Sequence, residues 1–153
     1  MTDFINKIIT VILIFVMLVL APLLISYKTD DMIAKREILN DVDTFIDKVT
    51  DAAMLNSGDI NELYMVCNSH GMVVDVTVER MVYAMTLDPK TNDYSYDYVV
   101  DTDFSTETTH LNPNDMIKVT VKEKTYSSSR RLTYKLLKID EGNFKFSLCG
   151  MVG

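Results

Sequence analysis

A chain of 153 residues with a formal net charge of −7 is long enough for one small domain after any targeting segment, and too acidic to bind nucleic acid or anionic lipid broadly. Asp3 and Lys7 cancel, so all of the net charge falls after the first hydrophobic run. The remainder contains enough Val, Ile, Leu, Phe and Tyr to fill one core.

That run, Ile8 to Tyr27, contains no charged side chain. At 1.5 Å per residue it rises about 30 Å, the thickness of the hydrocarbon layer. A cleaved signal peptide is the competing reading. It needs a shorter apolar stretch, a basic start and a small-residue cleavage site, and Ser26, Tyr27 and Lys28 provide no such site. A retained anchor over residues 1–28 is therefore expected, with Ile8, Ile12, Phe15, Leu18, Pro22 and Ile25 among its anchor and assembly residues and a kink at Pro22. Residues 29–153 are expected to form a single α+β domain. Lys7 on one side against Lys28, Lys35 and Arg36 on the other counts toward a cytoplasmic domain by the positive-inside rule.

No Gly or Pro interrupts residues 30–55, and Ile38, Val42, Phe45, Ile46 and Val49, followed by Ala52 and Ala53, recur at the spacing of one helical face. Asp41, Asp43, Asp47 and Asp51 read as the wet side. Anchor and amphipathic segment are expected to run on as one helix, stopped by Asn56, Ser57 and Gly58. Asp59 and Glu62 fit a capping box for a second helix from Ile60 to about His70, with Ile60, Leu63, Tyr64 and Cys67 on one face and Gly71 as its stop.

The period then changes to two. Val74, Val76 and Val78 alternate with polar residues in a strand reaching about Leu87, Asp88 to Asp93 are turn formers, and Tyr94, Tyr96, Tyr98 and Val100 alternate on the way back, which predicts an antiparallel hairpin. Asp101 to Asp115 reads as a polar loop. Ile117, Val119 and Val121 mark the clearest strand. Ser127 to Ile139 is either a helix, with Ser127 or Ser128 as cap and Leu132, Leu136 and Ile139 inward, or a strand. A final strand places Phe144, Phe146 and Leu148 on one face.

Phosphate-loop, H-E-x-x-H, C-x-x-C and G-x-S-x-G motifs are absent, so no enzyme, cofactor or metal site is expected. His70 and His110 read as surface residues. Asp101, Asp103 and Glu107 lack the spacing of a calcium loop and read as a solvated cluster. Cys67 and Cys149, the only cysteines, are either a bridge in an oxidising space, worth up to about 4 kcal/mol, or two buried thiols.

A hydrophobic helix running into an amphipathic one and then a small antiparallel sheet is the plan of type IV pilins. The runs Ile38 to Val49 (ILNDVDTFIDKV) and Leu111 to Val121 (LNPNDMIKVTV) and the ending Cys149 to Gly153 (CGMVG) resemble TadE-like minor pilins or pseudopilins of tight-adherence (Flp-type) pilus systems of the Gram-positive type. The resemblance implies an extracytoplasmic domain with Ile38, Val42, Phe45, Ile46 and Val49 as the seam between helix and head. It also implies membrane lipid, other pilin subunits and the pilus assembly platform as partners, and no nucleic acid. The first Gly is Gly58 and no acid lies between Asp3 and Asp30, so prepilin-peptidase processing is not implied, and an assembly role fits better than that of a major pilin. A membrane-tethered sensor or binding module using the Tyr94, Tyr96, Tyr98 face is the alternative.

Overall fold

The structure is a computed structural model that describes residues 2–88, 90, 93–101, 108–138 and 142–153. Helix α1 (Thr2–Phe15) passes through a π-helical turn (Val16–Leu20) into α2 (Ala21–Ala52). A short strand β1 (Met54–Leu55) leads to α3 (Ser57–Ser69), β2 (Val74–Leu87) and β3 (Tyr94–Val100). Then follow β4 (Thr109–His110), β5 (Met116–Glu123), α4 (Ser128–Leu137) and β6 (Lys145–Met151). The class is α+β, as expected: a long N-terminal helix and a small antiparallel sheet.

Four strands form that sheet in the order β3-β2-β5-β6, every pairing antiparallel, and β1 pairs with β4 in a separate two-stranded ribbon. The register follows the sequence alternation. Val76, Val121 and Phe146 lie side by side, as do Val78, Val119 and Leu148, and then Arg80, Ile117 and Gly150. These rows form the inner face, on which Ile117, Val119 and Val121 are fully buried.

The chain divides into two compact units, one of residues 1–35 and 126–142, the other of residues 36–125 and 143–153. Helix α4, the excursion between β5 and β6, belongs with the N-terminal unit. Within that unit the Ser127 hydroxyl caps α4 by accepting from the Arg130 amide at 3.4 Å and donates to Asp31 Oδ2 at 2.8 Å. Of the two readings for Ser127 to Ile139, helix is the one adopted; the inward direction expected of Leu132, Leu136 and Ile139 lies outside the described residues and side chains.

In the larger unit, Ile38, Val42, Phe45, Ile46 and Val49 are buried as one face of α2, while Asp43, Asp47 and Asp51 are exposed. Burying a side chain of this size is worth about 1.5–3 kcal/mol. Gly150 lets the helix come close, since a Cβ there would lie 2.2 Å from Ile46 Cγ2.

Two helix boundaries differ from expectation. Ala53, at φ 48°, makes the left-handed stop after α2, rather than Gly58, and its amide bonds the Thr50 carbonyl. Asn56, not Asp59, caps α3 by accepting from the Gly58 amide at 3.2 Å. The chain turns early because Met54 and Leu55 are drawn into pairing with His110 and Thr109, with Leu55 fully buried. Gly71, at φ 79°, follows α3 as expected.

Candidate functional site: the anchor helix and the sheet face

The helical path from Asp3 to Ala52 is uninterrupted, and its N-terminal part is long and apolar enough to cross a membrane, with none of that window buried. Ile8, Ile12, Phe15, Leu18, Pro22 and Ile25 are all exposed. In water such a surface would aggregate; in hydrocarbon it is the solvated state. Thr10, polar and inside the run, donates its hydroxyl to the Asn6 carbonyl at 2.8 Å, so it adds no unsatisfied donor to the bilayer. Its length and composition are those of a single membrane span.

At Pro22 the helix continues. The adjustment sits one turn earlier, where the Ala21 amide reaches back five residues to the Val16 carbonyl. Pro22 has no amide to donate and its ring crowds the preceding turn. A wide turn adds one residue to the register, about 100° of rotation at 3.6 residues per turn. Ile8, Ile12 and Phe15 are therefore offset from the line that Leu18, Pro22 and Ile25 would share with them in an unbroken α-helix.

The larger unit holds two charged clusters that the sequence did not reveal. His70, expected at the surface, is half-buried between two carboxylates of α2: Nδ1 lies 2.9 Å from Glu37 Oε2 and Nε2 lies 2.6 Å from Asp41 Oδ2. Asp41, expected on the wet face, is accordingly half-buried. The signal available was Glu37 and Asp41 one turn apart; their partner lies 29 positions beyond Asp41.

The second cluster centres on Arg80, which breaks the apolar inner row of β2. Its Nε and Nη2 donate to Asp115 Oδ2 at 3.0 and 2.5 Å and its Nη1 to Asp101 Oδ2 at 3.3 Å. The Asn112 amide donates to the same Asp115 oxygen at 2.8 Å. A half-buried cation is tolerable there because its donors on both sides meet an acid. Asp101, expected in a solvated cluster, is thus a structural ion-pair partner; Asp103 and Glu107 lie outside the described residues. Among the described residues no group of metal-ligating side chains could hold an ion.

Cys67 is buried in α3 and Cys149 is exposed on β6, and both thiols are free, so the bridge is not formed. Strand alternation gives the reason. Gly150 faces inward to Ile46, which turns its neighbour Cys149 to the opposite face of the sheet. Burial, and secondarily Asp41, pushes the Cys67 thiol up to about 11. A shallow groove of about 180 Å³ between α2 and α3, with Phe45 and Leu63 in its wall, is bridged by the Lys48–Asp59 ion pair at 2.8 Å. It is smaller than the roughly 300 Å³ at which ligand pockets begin. Asp59 and then Glu62 raise the affinity of Lys48 for its proton, as Glu79 does for Lys118 on the sheet.

The outer face of the sheet is divided. Toward one end it is polar, with the Lys118–Glu79 ion pair at 2.8 Å and Thr120 beside Ser147. Toward the other it is tyrosine, methionine and leucine: Tyr83 lies opposite Tyr98, Met85 opposite Tyr96, and Leu87 opposite Tyr94. Tyr83 stacks on Tyr96 with centroids 5.5 Å apart and packs tilted against Tyr98 at 5.3 Å.

No family model, no characterised protein sequence and no solved structure matches the chain.

Proposed function

We propose that the chain is a single-pass membrane subunit of an extracytoplasmic pilus-like filament or of its assembly machinery, in the manner of a TadE-like minor pilin or pseudopilin. One observation carries the reading: a single helix contributes both the exposed apolar span and, from Ile38 to Val49, the buried spine of an α+β head. A subunit that waits in lipid and then joins others needs an apolar rod able to exchange lipid for neighbouring helices. It also needs a head that folds around that rod's continuation. The partners in this reading are membrane lipid, other pilin or pseudopilin subunits and an assembly platform, and no catalysis or cofactor is involved.

The experiment is protease digestion of intact cells or protoplasts, followed by detection of the chain in sheared surface material. The reading expects the head to be digested from outside and the protein to be found with filaments. A head protected until the membrane is breached overturns it, and agrees instead with the Lys and Arg count around the span. A second reading, a membrane-tethered binding module, draws on the exposed tyrosines of β3; it expects an externally digested head that never leaves the membrane.

A further inference from the structure

We infer that the aromatic half of the outer sheet face is a self-association surface that packs on the same face of a second copy of this chain. Tyr83, Met85, Leu87, Tyr94, Tyr96 and Met151 are 50, 56, 47, 68, 65 and 56% exposed. Taking roughly 200 Å² for each aromatic side chain and somewhat less for Met and Leu, these six expose about 650 Å². That exceeds the few hundred Å² at which exposed apolar surface marks an interaction site. It also approaches the roughly 800 Å² that each partner contributes to a stable complex.

Three features select a second copy as the occupant. The six side chains carry no charge on a chain of net charge −7, so two copies meet without burying like charges, whereas a basic partner would find no acid within the patch. The bordering Glu79–Lys118 pair offers one charge of each sign. A two-fold axis can set each beside its opposite on the other copy, the self-complementarity an isologous contact requires. Finally, the tyrosines are already ordered: Tyr83 is held between Tyr96 and Tyr98, and the Tyr98 hydroxyl donates to Met151 Sδ at 3.5 Å. Little side-chain freedom remains to be lost on association. Two such faces stack at about 10 Å, as sheets do in a sandwich. This contact belongs to the head alone and holds whether or not the chain enters a filament.

The test uses the full chain in lipid vesicles, with Cys149→Ser removing the exposed thiol; Cys67 is buried. Tyr96→Cys is compared with Lys145→Cys, a position on the same outer face away from the patch. Mild oxidation should cross-link Tyr96→Cys at least about tenfold faster than Lys145→Cys. Adding Tyr83→Lys to the Tyr96→Cys chain should slow cross-linking at least about tenfold, the effect of some 1.4 kcal/mol at a contact centre. An unchanged far-ultraviolet circular dichroism spectrum and urea midpoint verify the fold of the Tyr83→Lys chain, and Tyr83→Phe, which keeps the ring, should retain cross-linking. Equal rates at the two positions, or indifference to Tyr83→Lys, overturn the proposal. So does a polarity-sensitive dye on Tyr96→Cys that still reports an apolar site after the protein is diluted in excess lipid, which would make lipid the occupant. Loss of head-to-head cross-linking with the topology result unchanged refutes this contact and leaves the membrane-subunit reading intact.

Discussion

Replacing Gly150 by Ala tests whether the helix and sheet of the larger unit meet as closely as described. The added methyl would lie 2.2 Å from Ile46 Cγ2 and 3.2 Å from Thr50 Cγ2, more than an ångström inside ordinary contact with the first. Ile46 is almost fully buried, and a β-branched side chain in a helix has one strongly preferred χ1. It cannot swing aside, so the backbone of α2 or β6 must shift. Overpacking of this kind costs about 1–3 kcal/mol, and two branched obstacles place Gly150→Ala at the upper end, about 2–3 kcal/mol. For a unit of this size that lowers Tm by about 10–20 °C.

The assay is thermal and urea unfolding of the full chain in mild detergent, followed by tyrosine circular dichroism. Ile46→Ala alone leaves a cavity and should cost about 2–5 kcal/mol. In the Gly150→Ala background it removes the clashing Cγ2 and the new methyl occupies part of the void, so the two losses should sum to more than the double variant shows, by at least about 1 kcal/mol. Additivity within about 0.5 kcal/mol, or a Gly150→Ala chain as stable as the parent, refutes the close approach.

Four further outcomes follow from the same contacts. Asp115→Ala strands Arg80 with Asp101 alone and should cost about 3 kcal/mol in urea unfolding; Asp101→Ala, at the more exposed partner, should cost less. His70→Ala removes both links from the end of α3 to α2, and hydrogen exchange should show α3 amides opening faster by the equivalent of about 1–3 kcal/mol. Cys67 is raised from an ordinary value of 9.0 to about 11, so folding favours its neutral thiol; the stability this gives is complete below pH 9 and is lost as pH rises toward 11, and Cys67→Ala should lack that portion of the alkaline fall. At a pH of about 8 a maleimide should modify exposed Cys149 rapidly and Cys67 only on unfolding, and an impermeant maleimide on intact cells should reach Cys149 if the head lies outside.

Strands β2 and β5 were legible because each turns its apolar residues to one face. Val74, Val76 and Val78, and likewise Ile117, Val119 and Val121, alternate with polar residues, and a one-residue slip would turn the apolar set outward. The α2 face was legible for the corresponding reason at helical period. The stop at Ala53 was not, because alanine has no intrinsic preference for positive φ; its conformation is imposed by β1 pairing with β4, a contact between segments far apart in the chain. The membership of α4 in the N-terminal unit was also hidden, since the segments it joins, as where Ser127 meets Asp31, lie 96 positions apart. The Arg80 cluster shows most clearly why local reading fails at charges. An arginine in the inner row reads as an interruption of the strand until Asp115, 35 positions on, is known to stand beside it.

The C-terminal string Cys149-Gly150-Met151 has a separate physical requirement at each position. Gly150 faces the helix and must lack a side chain for Ile46 to seat, so Cys149 and Met151 must face outward. Outward at Met151 is the border of the tyrosine field, where Tyr98 reaches its sulfur. The substitution that loosens the helix from the sheet therefore lies beside a residue of the proposed self-association face. If the core and that face are independent, Tyr83→Lys should slow head-to-head cross-linking at least about tenfold while leaving the urea midpoint unchanged. Gly150→Ala should do the reverse below its own melting range. A Gly150→Ala chain that stays folded but no longer cross-links would mean that the position of β6 over α2 sets the shape of the outer face. Core and interface would then be one mechanical element instead of two.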